Sequence, residues 1–369
     1  MNSLIFELIQ ISIGIREYLT HIPSSQEWYL LYEQAKDQAV IGIIFYGIQR
    51  LPKEQITTLP IQLKMRWLGI AVQIQQRNDV MNQCSRRLQT QLTKDGIPSC
   101  VLKGQGVAAM YEGELASLRQ SGDIDLYVDY GREEILKYLN EKGIKYGNWD
   151  FLHVDAKFFD NIEVEVHYRP SLIRNIISNY RFQKFVDANK DLFFKGSISV
   201  GESIGTLTIP APWMNVFYLL HHTFRHFLTE GVGLRHVMDC YFAIKSAVLS
   251  ENEIKELVGA VNRFKMKRFV CGLLGVIKNV FSATEIEHFC ERTTWSADAK
   301  EGEFILGEIM QSGNFGQLDK RYNKGYSKTR KLIRVFKRSA HLLSRYPSEA
   351  LAAPFYYGWH FCWKRMQML

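Results

Sequence analysis

The segment that most constrains the fold is a seven-residue run at residues 122–128, Gly-Asp-Ile-Asp-Leu-Tyr-Val. Its apolar residues alternate with polar ones, a period of two that is typical of a β-strand buried on one face. Asp123 and Asp125 therefore project together, while Ile124 and Leu126 face the core. Two carboxylates this close repel each other unless a cation lies between them, and hard oxygen ligands suit Mg²⁺. The pair is a candidate metal site, although such pairs also occur at strand ends without a metal.

A second strand-like segment at residues 162–168 carries more acidic residues. Glu163, Glu165 and His167 alternate with apolar residues and share one face. If this strand lies beside the first one, it supplies a third carboxylate to the same cation. The other interpretation is the polar solvent face of an antiparallel hairpin, and the residues alone leave both open.

The chain divides by pattern into three regions. Residues 1–95 have helical spacing, residues 96–170 mix short strands and helices, and residues 171–369 are helical again with a basic tail segment. The predicted fold class is α+β, with a small mixed β-sheet core between N-terminal and C-terminal helical regions. Helices are predicted over residues 104–111, 133–141, 213–228, 234–246 and 251–263, and strands over residues 99–102, 124–128, 151–159, 162–168 and 206–209.

Composition excludes several classes of protein. Hydrophobic residues make up 46% and charged residues 23% of the 369 positions, a balance that excludes intrinsic disorder. The six cysteines contain no CxxC pair, which argues against a zinc ribbon or a disulfide scaffold and predicts free thiols. No apolar run approaches the roughly 18 residues of a membrane span, and the N-terminal apolar segment reads as an amphipathic helix. We expect a cytoplasmic protein.

A turn upstream of the aspartates has the form of a phosphate cradle. Leu102-Lys103-Gly104 ends a predicted strand and opens a helix, so backbone N–H groups can face a phosphate. Lys103 could add a point charge there, or it could simply be solvated. Arg119 is a second candidate for phosphate contact, with an exposed surface arginine as the alternative.

The same turn also fits a dinucleotide-binding fingerprint. Residues 104–109 match G-x-G-x-x-A, and Asp123 and Asp125 follow about 20 residues later. In a dinucleotide-binding fold, however, the acidic residue ends the second strand. Here the aspartates open the strand, and the next segment reads as a hairpin instead of another βαβ unit. These two observations disfavour the dinucleotide interpretation.

The ordered set of motifs resembles the bacterial uncharacterised nucleotidyltransferase family, which belongs to the polymerase-beta-like nucleotidyltransferase superfamily. The resemblance covers roughly residues 20–300. The motifs that carry it are Leu102-Lys103-Gly104, Arg119, Gly122-Asp123-Ile124-Asp125-Leu126, Glu165-Val166-His167, His222, His226, Gly231-Val232-Gly233-Leu234-Arg235 and Asp239.

This resemblance implies a nucleotidyltransferase that moves a nucleoside monophosphate from an NTP, such as ATP, to an unidentified acceptor, with pyrophosphate release. The acceptor could be a protein, a small molecule or RNA, and the implied cofactor is Mg²⁺ (or Mn²⁺). An alternative is a non-catalytic nucleotide-binding or regulatory protein on a degenerate fold of this kind. The implied catalytic and metal-binding residues are Asp123, Asp125 and Glu165, and the implied nucleotide-binding residues are Lys103, Gly104, Arg119 and Gly122.

Two residue pairs in the later helices have i, i+4 spacing. His222 and His226 share a helical face, but neither a Glu-x-x-His arrangement nor a cysteine cluster completes a zinc site. Arg235 and Asp239 most simply form an ion pair on the helix surface. Contact of Arg235 with a phosphate or an acceptor is the alternative.

Residues 319–338 form a strongly basic segment, and the net charge of the whole chain is +8. Apolar residues interleave with the later cations, which predicts an amphipathic helix with a basic outer face. That face could be plain solvated surface, or it could bind an anionic partner such as RNA, an acidic protein or a membrane surface. Its basic residues are Lys320, Arg321, Lys324, Lys328, Arg330, Lys331, Arg334, Lys337 and Arg338.

Overall fold

The computed structural model describes residues 2–282, 284–319, 321 and 328–366. Its first region is helical, as the sequence predicts. A serine cap begins the second helix, where Ser24 and Glu27 exchange hydrogen bonds in a capping box. The helices of this region are α1 (Asn2–Ser12), α2 (Ser25–Asp37), α3 (Ile41–Arg50) and α4 (Ile61–Lys94).

A five-stranded mixed sheet follows, in the order β1-β2-β5-β4-β3. Strands β2 and β5 are parallel, and the other neighbouring pairs are antiparallel. The strands are β1 (Ser99–Val101), β2 (Ile124–Val128), β3 (Tyr146–Trp149), β4 (His153–Ala156) and β5 (Val164–His167). The helices between them are α5 (Gln105–Ala108), α6 (Leu115–Leu118) and α7 (Arg132–Glu141).

The two faces of this sheet have different partners. Ile124, Leu126 and Val166 point to one face, where they join buried residues of α4 and α7 in a hydrophobic cluster. Asp125 and Glu165 point to the opposite face, as the alternation along each strand requires. The carboxylates therefore lie on the side of the sheet that faces the C-terminal helices.

The remaining chain is helical apart from one hairpin. The hairpin consists of β6 (Gly196–Ser199) and β7 (Thr206–Ile209), which follow α8 (Ile176–Ala188). The later helices are α9 (Pro212–Thr229), α10 (Leu234–Ser246), α11 (Glu251–Arg263), α12 (Lys267–Phe281), α13 (Glu285–Thr293), α14 (Ala299–Ser312), α15 (Lys328–Leu342) and α16 (Pro347–Met366). Within the described chain, every helix is too short or too polar to cross a bilayer.

The helices before and after the sheet share one hydrophobic cluster. It includes Ile5 and Leu8 of α1, Trp67 of α4, and Leu273 and Ile277 of α12, all 2% exposed or less. Helix α1 contacts both α3 and α12. The two helical regions therefore pack against each other in one core, which also includes Cys100 and Tyr127 of the sheet.

The α+β class with a small mixed sheet between helices is confirmed. So are the strands at residues 124–128 and 206–209 and the antiparallel pairing of β4 with β5. The helix predicted over residues 104–111 is shorter, since α5 covers Gln105–Ala108. Strands β3 and β6 were missed because their side chains are half-buried or exposed and lack an apolar alternation.

The basic segment differs from its prediction. Helix α15 is present, but Ile333 and Phe336 are 50% and 52% exposed. Two cations expected on the outer face instead contact carboxylates: Arg321 lies 2.7 Å from Glu308, and Arg338 is 2% exposed and 3.8 Å from the same carboxylate. Lys320 and Lys324 lie outside the described residues. Part of the predicted basic face is thus turned inward, because these arginines neutralise buried acids.

Close helix packing makes one prediction about the scaffold. A Cβ atom at Gly275 of α12 would overlap the carbonyl oxygen of Asp298, whereas a Cβ at Gly307 of α14 has open space. We expect Gly275→Ala to lower the free energy of unfolding by about 1–3 kcal/mol, because the helices must separate. The matched change Gly307→Ala should raise it by up to about 1 kcal/mol. Urea denaturation measures both, and equal effects would contradict this packing argument.

Candidate functional site

The parallel pairing of β2 with β5 brings three carboxylates together. Asp125 lies directly opposite Glu165 in the register of the two strands. Asp123 precedes β2 and projects to the same side as Asp125. One oxygen from each of the three carboxylates lies within 4.8 Å of the others. The expectation that a neighbouring strand adds a third acid to the pair is confirmed in geometry, and three hard oxygen donors fit a divalent cation such as Mg²⁺.

Two cationic groups compensate the charge of Asp125, which is fully buried. The ammonium of Lys103 lies 3.0 Å from one of its oxygens, and Nε2 of His167 lies 3.1 Å from the other. Burial alone would raise the pKa of Asp125, but these two partners hold it below its usual value. His167 also contacts Glu165 at 3.2 Å. Although burial opposes it, this hydrogen bond helps to lower the pKa of Glu165 to about 2.

The predicted phosphate turn lies beside the carboxylates. Gly104 has φ +60° and ψ −116°, a conformation that only glycine adopts without strain. A Cβ atom there would lie 3.3 Å from the carbonyl oxygen of Asp123. The short helix α5 begins at the next residue. The turn thus brings bare backbone close to the carboxylates, while the Lys103 ammonium is directed at Asp125.

Arg119 occupies a buried position that its prediction did not foresee. Its Nε and Nη2 atoms each lie 2.7 Å from an oxygen of Asp239 on α10, and both residues are less than 7% exposed. Tyr111 donates a further hydrogen bond to Asp239 at 2.8 Å. The surface ion pair predicted between Arg235 and Asp239 is therefore wrong, because Arg119 occupies this carboxylate instead. The pair joins the loop before β2 to the C-terminal helices.

Three side chains position the segment from 119 to 122 that leads into β2. Asn78 of α4 donates to the carbonyl oxygens of Ser117 and Arg119, at 2.6 and 2.8 Å. Arg77 donates to the carbonyl of Gly122 at 2.7 Å, and Arg235 of α10 donates to that of Gln120 at 2.9 Å. The place of Asp123 is thus fixed from both helical regions.

A cavity of about 210 Å³ separates Asp123 and Asp125 from the helices opposite, and Glu165 is not part of its lining. Lys103, Gly104, Gly122, Asp123, Asp125 and Glu163 line the sheet side. Arg119, Leu219, His222, Thr223, Arg235, His236, Asp239 and Phe315 line the helix side. All four predicted nucleotide-binding residues and both aspartates therefore border one space.

Arg235 is the residue of this wall whose role the sequence left open. Its guanidinium lies over the ring of Phe315, 5.6 Å from the centroid. Its Nε atom is buried and makes no hydrogen bond to a described residue. Burial lowers the pKa of Arg235, but a guanidinium is so basic that it stays protonated. Arg235 thus brings a positive charge to the cavity wall. Phe315, 80 residues later, gave no signal in the sequence.

The histidines on the helix wall are neutral, because burial lowers the pKa of His222 and of His236 well below the usual value. His236 accepts the N–H of Gly233 at Nδ1, so its Nε2 carries the proton. The rings of His222 and His226 lie 4.4 Å apart, but neither belongs to a cluster of three metal ligands in the described chain. A zinc site at this pair gains no support.

Comparison with known proteins identifies a family-level match. The model of the family described as "Uncharacterised nucleotidyltransferase" matches residues 24–282. None of the curated proteins matches the sequence. Among solved structures, an antigenic nucleotidyltransferase-like protein from Paracoccidioides brasiliensis aligns with 56% of this chain and 93% of its own, at 13% identity and a TM-score of 0.36.

The buried Arg119–Asp239 pair gives a stability prediction. Asp239→Asn leaves the guanidinium of Arg119 buried without a compensating charge. We expect a loss of about 3–5 kcal/mol in the free energy of unfolding, measured by urea denaturation. Asp79→Asn, an exposed change on α4, should alter it by less than about 0.5 kcal/mol. A small effect at Asp239 would show that this ion pair does not join the loop to α10.

Proposed function

Because the chain belongs to the uncharacterised nucleotidyltransferase family, we propose that it transfers a nucleoside monophosphate from an NTP to an acceptor hydroxyl. The acceptor oxygen bonds to the α-phosphorus, the bond from that phosphorus to pyrophosphate breaks, and the hydroxyl proton passes to solvent. The observation that carries this proposal is the cluster of Asp123, Asp125 and Glu165, of which the two aspartates line a cavity.

The three carboxylates suit Mg²⁺ (or Mn²⁺), since each supplies a hard oxygen within 4.8 Å of the others. When bound, such ions neutralise phosphate charge and lower the pKa of the acceptor hydroxyl. The protein's own contribution is to keep Asp125 ionised through Lys103 and His167. It thus presents a deprotonated ligand in a buried place.

The triphosphate would lie between the Gly104 turn and the helix wall. Gly104 leaves room for close approach of a phosphate, and Arg235 brings a positive charge to the opposite wall. Arg119 borders the same cavity, but its guanidinium is already paired with Asp239. We therefore assign Arg235 the main phosphate contact, and Arg119 the task of positioning the loop that carries Gly122 and Asp123. This geometry favours in-line positioning and charge neutralisation over covalent catalysis.

One observation favours a second function, a nucleotide-binding protein without transfer activity. Asp125 is wholly buried and already has Lys103 as a salt-bridge partner. If this lysine keeps the cation away, the fold could bind a nucleotide without turning it over. Labelled NTPs incubated with the protein and a cell lysate separate the two functions. Magnesium-dependent pyrophosphate release and a labelled acceptor support transfer, whereas binding without release supports the alternative.

The carboxylates give the first prediction about activity. Asp123→Asn and Glu165→Gln should each reduce pyrophosphate release at least about 100-fold, because each removes a charged metal ligand worth several kcal/mol. Glu163→Gln is the matched control, since Glu163 borders the same cavity but lies outside the cluster of three ligands. Its effect should be much smaller. Full activity in either ligand variant would contradict the metal site.

Asp125 differs from the other two acids in its effect on stability. Asp125→Asn removes the compensating charge of Lys103, whose side chain is only 20% exposed, so it should lower the free energy of unfolding as well as activity. Asp123→Asn should leave stability nearly unchanged, since Asp123 is only half-buried. Thermal denaturation of the metal-free variants compares the two. Equal stability of the two variants would show that the charge of Lys103 does not need Asp125 to compensate it.

A further prediction concerns Arg235. Arg235→Gln should weaken NTP binding about tenfold, since a charge-assisted hydrogen bond contributes about 1.5–3 kcal/mol. Arg87→Gln, an exposed change on α4, should leave affinity unchanged. Calorimetric titration with a non-hydrolysable NTP analogue and Mg²⁺ measures both. Unchanged affinity in Arg235→Gln would place the phosphates elsewhere in the cavity.

A further inference from the structure

A second group of metal-ligating side chains lies next to the three carboxylates. His153, Glu165 and His167 each place one ligand atom within 4.8 Å of the others. His153 on β4 is the direct cross-strand partner of His167 on β5, and their rings lie 4.9 Å apart. Glu165 precedes His167 by two residues and projects to the same face. The antiparallel hairpin thus assembles two imidazoles and a carboxylate.

His153 has a carboxylate near each of its ring nitrogens. Its Nε2 lies 3.4 Å from a carboxylate oxygen of Asp155. Its Nδ1 is buried, makes no hydrogen bond to a described residue, and lies 3.7 Å from Oε2 of Glu165. A carboxylate on one ring nitrogen commonly fixes the tautomer and leaves the other nitrogen free for a metal. Asp155 therefore takes the place of the carboxylate that orients the ring, and Glu165 lies on the side where the metal would bind.

His167 completes the group from the other strand. Its side chain is 6% exposed, and its Nε2 lies 3.2 Å from the same Oε2 of Glu165. Both histidines therefore direct a ring nitrogen toward one carboxylate oxygen. Two imidazole nitrogens with a carboxylate suit borderline transition metals better than Mg²⁺, which favours oxygen alone. A metal bound at Nε2 of His167 takes the place of the proton that this atom shares with Asp125 and Glu165.

We propose that His153, Glu165 and His167 form a second cation site, for a divalent transition metal such as Zn²⁺ or Co²⁺. The site shares Glu165 with the proposed magnesium site and draws its other ligands from the hairpin. It rests on the geometry of the hairpin and not on nucleotide transfer. Hard and nitrogen-preferring cations would then lie side by side, with Glu165 between them.

The experiment titrates the full chain, stripped of metals, with Co²⁺ while the visible absorption bands are recorded. Cobalt is the probe because imidazole ligation intensifies and shifts these bands. The Asp123→Asn background removes a ligand that belongs only to the three-carboxylate site. We expect the Asp123→Asn variant to retain one tightly bound Co²⁺ per chain, with visible absorption bands that are intensified and shifted as imidazole ligation requires. Adding His153→Ala should weaken this binding at least about tenfold and change the bands.

Matched controls separate this site from surface binding and from misfolding. His21→Ala removes an exposed histidine that lies 3.0 Å from Glu27, and it should leave Co²⁺ affinity unchanged. His167→Gln should weaken binding as His153→Ala does, provided circular dichroism shows an intact fold. His153 is 22% exposed, so His153→Ala remains a valid test if His167→Gln, at a buried residue, unfolds.

Two results would overturn the proposal: unchanged Co²⁺ affinity and bands in His153→Ala, or complete loss of Co²⁺ binding in Asp123→Asn. Neither result depends on turnover. A protein that binds Co²⁺ through His153 but releases no pyrophosphate would refute transfer while supporting this site. The reverse pattern would refute the histidine site alone.

Discussion

The parallel pairing of β2 with β5 is the constraint on which the rest of the site depends. It sets Asp125 opposite Glu165 and, through the period of two along each strand, places their carboxylates on one face. A shift of the register by one residue would turn Glu165 into the hydrophobic cluster and bring Val164 to the cavity. The apolar residues of both strands exclude that shift, because they pack against α4 and α7. Packing on one face thus determines the chemistry on the other.

Several buried carboxylates of the protein are each paired with a basic side chain. Asp125 has Lys103 and His167, Asp239 has Arg119, and Glu308 has Arg321. A buried charge without such a partner would be strongly destabilising. These pairs join elements distant in sequence, so they make the geometry of the cavity depend on the whole fold. They also explain why basic residues that look available in the sequence are occupied in the structure.

The sequence predicts features that depend on local periodicity and misses those that depend on distant partners. Strand β2, the β4–β5 hairpin and the common face of Asp123 and Asp125 follow from alternation over a few residues. The addition of Glu165 depends on the pairing of β2 with β5, which local alternation does not specify. The bond between Arg119 and Asp239 joins residues 120 positions apart, and no local pattern specifies it. The inward turn of Arg338 has the same origin, since its acid partners lie on another element. Arg235 could be placed on a helix but not against Phe315, because that contact is set by how α10 packs.

The packing of α1 has a consequence for how the chain is made. Helix α1 contacts α3, which is synthesised soon after it. Its other partner, α12, is synthesised more than 250 residues later. Gln10 of α1 completes its hydrogen bonding only there, with the carbonyl of Val280 at 2.9 Å. At the usual 5–20 residues per second, the ribosome needs roughly 10–50 s to deliver α12. During that interval the face of α1 that α12 later covers stays exposed on the nascent chain. Chaperones bind apolar surface of this kind, and aggregation can start there.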